Sequence, residues 1–336
     1  MPPSKRSSKK QFIVGTIQIV VALTLLMLLL LPQNAATKVL DHLKSIDPFY
    51  VGVLLLISLC TNFTNSLKWR LFVTGGGQSV SYWRMFKMAL IGRFFNNFMP
   101  GMVGGDIARI LMLGEQIGSH SRSAATVFME RAVGLVGLVL IAILASIANP
   151  GVLQYWFVSL PLAAGVLGCA AMLTAYFSPR FSGLLVRMCK TLPLLRNYTV
   201  KAERLIEAFF MYRLQSRTLI LSLLLAMFFH FAACLNVYVA SLAIHFHPSF
   251  WDVLVITPVI LLVTSIPVSP RGVGWWEWSF GVLFAGAGGS ADQGVAAALT
   301  LRATAVLMSL LGGIFFVTDR GLVTAKAPVS PPQVNC

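Results

Sequence analysis

The sequence predicts an all-α polytopic membrane helical bundle, with about six full spans and two broken, re-entrant hairpins arranged as an inverted repeat. Three observations lead there. Hydrophobic residues make up 57% of the 336-residue chain and charged residues only 11%, against about 25% charged in ordinary soluble domains. The apolar residues come in blocks close to the roughly 20 needed to cross about 30 Å of hydrocarbon. Two of those blocks are interrupted by clusters of proline and glycine.

The elements follow in order. Residues 1–11 form a basic arm carrying Lys5, Arg6, Lys9 and Lys10. The apolar stretch Phe12–Leu31 exceeds the about 7–15 residues of a signal-peptide core, so it is expected to stay as the first span. Further spans are read at 49–67, 124–148, 152–177, 218–246 and 294–317. The broken segments occupy 85–115 and 252–289. The membrane domain thus covers 12–320, in halves of about 12–148 and 152–317. A cytoplasmic loop, 178–217, joins them. Within it, 199–214 reads either as a helix lying on the membrane surface, with Leu205, Phe209 and Tyr212 toward lipid, or as a plain connecting helix. The tail, 321–336, contains Pro328, Pro331 and Pro332 and is expected to be disordered.

The formal charge of +15 does not point to nucleic acid, because the charge sorts by side. If the spans alternate, the N-terminal arm, the 68–87 connection (Lys68, Arg70, Arg84, Lys87), Arg122, the basic 178–217 loop, and Arg320 with Lys326 all share one face. Lys38 and Lys44 lie on the other. This positive-inside pattern places both termini in the cytoplasm of an inner or plasma membrane.

No metal or cofactor is expected. Cys60, Cys169, Cys189, Cys234 and Cys336 form no CxxC, so neither a zinc site nor a disulfide framework is indicated. His245 and His247 are read as a polar pair at a span end.

The two interruptions carry the chemistry. From Phe94 the chain reads FFNNFMPGMVGGDIARILML, broken at Pro100, Gly101, Gly104 and Gly105 and followed by Asp106 and Arg109. From Thr264 it reads TSIPVSPRGVGWWEWSFGVLF, broken at Pro267, Pro270, Gly272 and Gly274, with Arg271 inside and Glu277 after. Proline removes a backbone donor and glycine weakens a helix. Irregular backbone at membrane depth survives only when buried in protein or lining a watery cavity. Arg131 follows Asp106, and Arg302 follows Glu277, at the same 25-residue interval. Inverted repeats with discontinuous helices, and a site between them near the midplane, are a transporter architecture.

Asp106, Arg109, Glu130, Arg131, Arg271, Glu277 and Arg302 therefore lie where a charge costs at least about 2.5–3.5 kcal/mol; Arg93 is placed beside them. Pairing of Glu130 with Arg131, and of Asp106 with Arg109, would neutralise part of this. Read functionally, the cluster is a polar path for a charged headgroup. Helices starting near Asp106 and Trp275 would offer free N–H groups to a phosphate, the glycines would allow close backbone approach, and Arg131 and Arg302 would bind the same phosphate. Read structurally, the pairs lock the hairpins. Asn96 and Asn97 are expected to cap or line the first hairpin. Trp275, Trp276 and Trp278 are expected to anchor or pack.

At NNFMPGMVGGDIAR, with the following MERAVGLVGL, the chain resembles the flippase-like transmembrane domain of lysylphosphatidylglycerol synthases and their stand-alone relatives. The segment IPVSPRGVGWWE is similar to that family's proline-rich GxGxxE segment. The resemblance covers about residues 10–320. Pro270 and Arg271 replace a smoother glycine-rich run, and Trp275 and Trp276 stand where a basic residue is common. The resemblance implies movement of a lipid between leaflets, with Asp106, Arg109, Glu130, Arg131, Glu277 and Arg302 at the matching polar positions. Little chain follows the last span, so a soluble aminoacyl-transferase domain, and with it lysyl transfer, is not expected.

The leading expectation is a non-enzymatic translocase for an anionic or zwitterionic phospholipid, or for a polyprenyl-phosphate-linked lipid. Membrane lipids would be its partners, with envelope-biogenesis proteins as further candidates. No GxxxxGK[ST] occurs, so movement would be passive, ion-coupled or partner-dependent. Proton coupling through Asp106, Glu130 or Glu277 predicts a rate that responds to a proton gradient. Two alternatives stand beside it. A membrane-embedded polyprenyl-phosphate-dependent glycosyltransferase component would form product from a sugar donor. A non-catalytic envelope scaffold acting through 178–217 would tolerate charge changes in the hairpins.

Overall fold

A computed structural model describes residues 35–98, 104–178, 215–266, 268–286 and 288–319, with isolated positions between 18 and 27. The N-terminal arm, most of the expected first span, the 199–214 segment and the C-terminal tail lie outside the described residues. Ten α-helices occur among those described: α1 Ala35–Lys44, α2 Pro48–Gly75, α3 Tyr82–Phe98, α4 Gly104–Ile117, α5 His120–Ala148, α6 Trp156–Phe177, α7 Ser216–Ala243, α8 Phe250–Thr264, α9 Trp275–Gly286 and α10 Ala291–Thr318. No strand occurs among the described residues.

Local chemistry sets the helix ends. Asp47 caps α2 by accepting the Phe49 N–H at 2.8 Å, with Pro48 at the first helical position, where a missing donor costs nothing. Ser119 caps α5 through the Arg122 N–H. Gly118 before it takes φ +68°, a left-handed turn that a β-carbon disfavours. Ser290 and Gln293 cap α10 reciprocally, satisfying two orphan donors at once.

Among the described residues, five helices are long and apolar enough to cross a membrane: α2, α5, α6 over Trp156–Thr174, α7 and α10. They coincide with the five later spans read from the sequence, and together they make a polytopic helical bundle. Hydroxyls inside them donate back to carbonyls three or four residues earlier, as at Thr61, Ser66, Ser146, Ser241 and Thr300. No hydroxyl in this set is therefore left unbonded against hydrocarbon.

The arms flanking the two breaks are shorter. α3, α4, α8 and α9 have 17, 14, 15 and 12 residues. At 1.5 Å per residue these are about 25, 21, 22 and 18 Å, each short of the roughly 30 Å core.

One boundary departs from the sequence reading. α2 does not stop at residue 67 but runs 28 residues to Gly75, where the glycine run Gly75–Gly77 ends it. Lys68 and Arg70, expected in a connection, lie on the helix instead, and Lys68 is buried.

Helix α7 packs along α2 and α5, and α10 packs along α3 and α9. Tight contacts need small residues, because apolar helices in lipid gain from close packing rather than from expelling water. At Gly312 an added β-carbon would strike the Leu90 carbonyl of α3, and at Gly137 it would lie 2.8 Å from the Ala226 β-carbon of α7. Contacts between distant segments mark the two ends of the bundle. At one end His42 meets Asp292 at 3.1 Å and the His245 ring meets the Ser45 carbonyl at 3.0 Å. At the other, Lys87 meets Asp319 at 2.8 Å and the Gln215 amide donates to the Gly75 carbonyl at 2.6 Å.

Candidate functional site

A cavity of about 460 Å³ lies in the middle of the bundle, within the size range of small-molecule sites. Its depth can be read from its walls. Gly134, His230 and Ala305 line it, and each falls within one residue of the midpoint of its own helix. The ionisable wall is dense. Lys68, Arg93, Arg109 and Arg131 stand against Asp106 and Glu130, four basic residues to two carboxylates, with His230 beside them.

The first break builds one side of it. α3 and α4 cross closely at Gly92 and Gly105: a β-carbon on Gly92 would sit 2.7 Å from the Arg109 side chain, and one on Gly105 would strike the Gly92 carbonyl. Asn96 Oδ1 accepts the Gly105 N–H at 2.8 Å, so Asn96 caps the hairpin as expected. The Asn97 amide donates to the Ala305 carbonyl of α10 at 3.4 Å. Gly104 opens α4.

The charges pair across helices. Glu130 of α5 is buried and accepts from Arg109 of α4, with Lys68 of α2 at 3.5 Å. Arg109 also lies over the Trp69 ring, 4.0 Å from its centroid, a cation–π contact. Asp106 Oδ1 accepts from Arg131 at 2.8 Å and lies 3.6 Å from Arg109. The expected Asp106–Arg109 pair is therefore present, while the expected Glu130–Arg131 pair is not. Successive residues on a helix point about 100° apart and do not face each other.

The second break is built differently. Gly272 and Gly274 take φ +68° and +79°, left-handed values available to glycine at little cost. Glu277 accepts the Gly274 N–H at 2.8 Å and the Arg302 Nε–H at 2.7 Å. Arg302 also donates to the Gly272 carbonyl at 3.3 Å. Glu277 and Arg302 fasten the hairpin and lie outside the cavity wall. At each helix start, where free N–H groups were expected to meet a phosphate, one N–H is engaged within the protein: that of Gly105 by Asn96 and that of Gly274 by Glu277. The Arg271 side chain lies outside the described residues. Trp275 and Trp276 use their indole N–H groups on the carbonyls of Val263 and Ala298, and Trp275 stacks on Trp278, which is packing, as expected.

A second cavity, of about 180 Å³, adjoins the first. Arg93, Phe229 and Ala305 line both. The second is walled by Ser58, Thr61, Asn236, Thr257, Trp276 and Phe280, among others, and Arg93 is its one ionisable wall residue. Among the described residues, four buried polar atoms with no partner belong to residues of these walls: Arg109 Nε, His230 Nδ1, Asn236 Oδ1 and Thr257 Oγ1. Unsatisfied buried groups are rare, and these four sit on residues that line open space. Among the described residues no metal-holding cluster of His, Cys, Asp and Glu occurs.

Sequence reasoning missed Lys68, Trp69 and His230. Reading α2 on to Gly75–Gly77 would have placed the first two inside a span. A lone histidine within an apolar block, as at 230, is by default a functional candidate.

The comparisons agree with this architecture. A UPF0104 membrane protein of Pyrococcus horikoshii is 21% identical over 332 residues, 92% of this chain and 98% of its own length. A UPF0104 membrane protein of Methanothermobacter thermautotrophicus is 26% identical over 160 residues, 47% of this chain and 45% of its own length. The family model described as the lysylphosphatidylglycerol synthase TM region matches residues 15–313, both breaks included, and the chain belongs to that family.

Proposed function

We propose that this membrane protein is a lipid translocase, moving a phosphate-bearing lipid between leaflets with its headgroup in the mid-bundle cavity and no chemistry on the substrate. The observation that carries this reading is the position and charge of the cavity. A basic chamber at helix mid-depth, bounded by a discontinuous hairpin, suits an anionic group that must pass the hydrocarbon. Charged groups so placed mark substrate paths, and transporter sites lie near the midplane beside broken helices.

The two ion pairs Asp106–Arg131 and Glu277–Arg302, each 25 residues apart, join the helix after each break to the next span. This recurrence supports an inverted-repeat origin for the halves. Arg70, Arg84, Lys87, Arg122 and Arg217 fall toward the Lys87–Asp319 end, against Lys38 and Lys44 toward the other. That asymmetry supports an inner or plasma membrane location with both termini in the cytoplasm. Membrane lipids are the partners in this reading.

The test is reconstitution into liposomes holding lipids labelled at the acyl chain, with fluorescence quenched by an impermeant reductant. Wild type should expose the inner-leaflet label well above protein-free liposomes. Arg131→Met should slow this about tenfold, the least that a hydrogen bond to a charged group supplies. Flux no greater than in protein-free liposomes would refute the translocase, and equal flux in both proteins would place the path elsewhere.

A further inference from the structure

The charge balance of the two cavities narrows the headgroup. We propose that the site selects a lipid whose phosphate carries its only charge and whose remaining head is one small uncharged hydroxyl-bearing unit, a glycerol or a single sugar. Arg93 holds the phosphate where the cavities meet. This rests on the translocase reading and names its substrate class.

The carboxylates exclude a cationic head. Glu130 already faces Arg109 and Lys68, and Asp106 already faces Arg131 and Arg109. An incoming ammonium would find no free acid and would have to displace a basic side chain already paired with one. It would also enter a chamber that already has two more positive than negative residues. Like charges brought together in low dielectric repel strongly.

Arg93 is the opposite case. It lines both cavities, and among the described residues no carboxylate pairs with it. Arg109 and Arg131 line the same cavity. A guanidinium that shares a cavity with like charges and has no carboxylate among the described residues lacks the anion that its planar donor array fits, and phosphate matches that array bidentately.

The second cavity then receives what the phosphate carries. Apart from Arg93 its wall has no ionisable residue, so it offers a second charge no partner. It does offer neutral polar groups. Asn236 Oδ1 is a buried acceptor without a donor, while its amide donates to Ser58 at 3.4 Å. A ligand hydroxyl would complete it. Trp276 and Phe280, with ring centroids 4.8 Å apart, give the carbon face of a polyol an apolar wall. The volume of about 180 Å³ equals about six waters at roughly 30 Å³ each, room for one glycerol or one sugar.

The experiment is thermal unfolding of the full-length protein in detergent with short-chain lipids differing only in head: phosphatidic acid, phosphatidylglycerol, phosphatidylethanolamine and lysyl-phosphatidylglycerol. The half-maximal rise in Tm should need about tenfold less phosphatidylglycerol than phosphatidylethanolamine, and lysyl-phosphatidylglycerol should give no rise. Arg93→Gln should lose the phosphatidylglycerol response and Arg93→Lys should keep part of it. Asn236→Leu should bring phosphatidylglycerol down to the level of phosphatidic acid. An equal or greater response to the two amine-bearing lipids overturns the proposal, and that comparison needs only the wild type should a variant fail to fold. An unchanged response in Arg93→Gln overturns it too. The liposome flux separates the two readings: headgroup-selective binding without flux removes the translocase and leaves this selectivity, while flux indifferent to headgroup does the reverse.

Discussion

Two arginines that look equivalent in the sequence should differ by about two orders of magnitude in what their loss does to folding. Arg302→Met strips the charged partner from Glu277, whose side chain is 3% exposed, and leaves its carboxylate, among the described residues, with the Gly274 N–H. Breaking a buried pair by removing one member costs about 3–5 kcal/mol. Arg131→Met strips a partner from Asp106, but here the arginine side chain is 57% exposed and the aspartate 21%. Asp106 also keeps Arg109 at 3.6 Å. That loss belongs with exposed pairs, at about 0–1 kcal/mol. The difference, about 3 kcal/mol, is roughly a hundredfold in the folding equilibrium. Reversible unfolding in mixed micelles with rising SDS, followed by tryptophan fluorescence, measures it. The transition of Arg302→Met should move far to low denaturant, while that of Arg131→Met should stay near wild type, although its lipid flux falls. Equal shifts, or a larger one for Arg131→Met, would refute the assignment of Glu277–Arg302 as a structural clamp and of Arg131 as a cavity residue.

Other consequences are as direct. Asn96→Leu removes the acceptor of the Gly105 N–H and should cost about 0.5–2 kcal/mol, the worth of a helix cap, in the same SDS titration. Gly105→Ala drives a β-carbon into the Gly92 carbonyl and should destabilise by about 1–3 kcal/mol as overpacking. Gly168→Ala meets nothing within 4 Å and should be neutral or stabilising, by at most about 1 kcal/mol; a matching loss in both glycine variants would show that close approach is not the cause. Single cysteines at Gly77 and Ser45, in a background lacking the native five, should label from opposite faces in inside-out vesicles, Gly77 alone being reached by an impermeant thiol reagent there. Labelling of both from one face would contradict the two ends drawn from the contacts.

Much of the architecture was legible in one dimension. Spans are set by the transfer of contiguous side chains into hydrocarbon, a cost that adds along the chain, so 49–67, 124–148, 218–246 and 294–317 stand out without any partner. The breaks were legible for a related reason, since proline and glycine act on their own backbone wherever the fold puts them. The end of α2 was misplaced because Lys68 looked like a loop charge, and only a buried carboxylate sixty-two residues away makes a lysine acceptable inside a span.

Pairing was a different matter. The 25-residue interval set Arg131 after Asp106 and Arg302 after Glu277 as a correspondence between the halves, but it did not say that both pairs meet, nor that one is a clamp and the other a cavity wall. Glu130 and Arg131 are neighbours in the chain yet serve different partners, because a helix turns them to different sides. Arg93 gave no local sign of standing unpaired between two cavities. Composition and pattern thus settled that the chain is a membrane bundle with two breaks. Which charges are neutralised, and which one is left facing open space, depended on helices brought together from α2 to α10, because Coulomb and hydrogen-bond energies follow distance through space rather than separation along the chain.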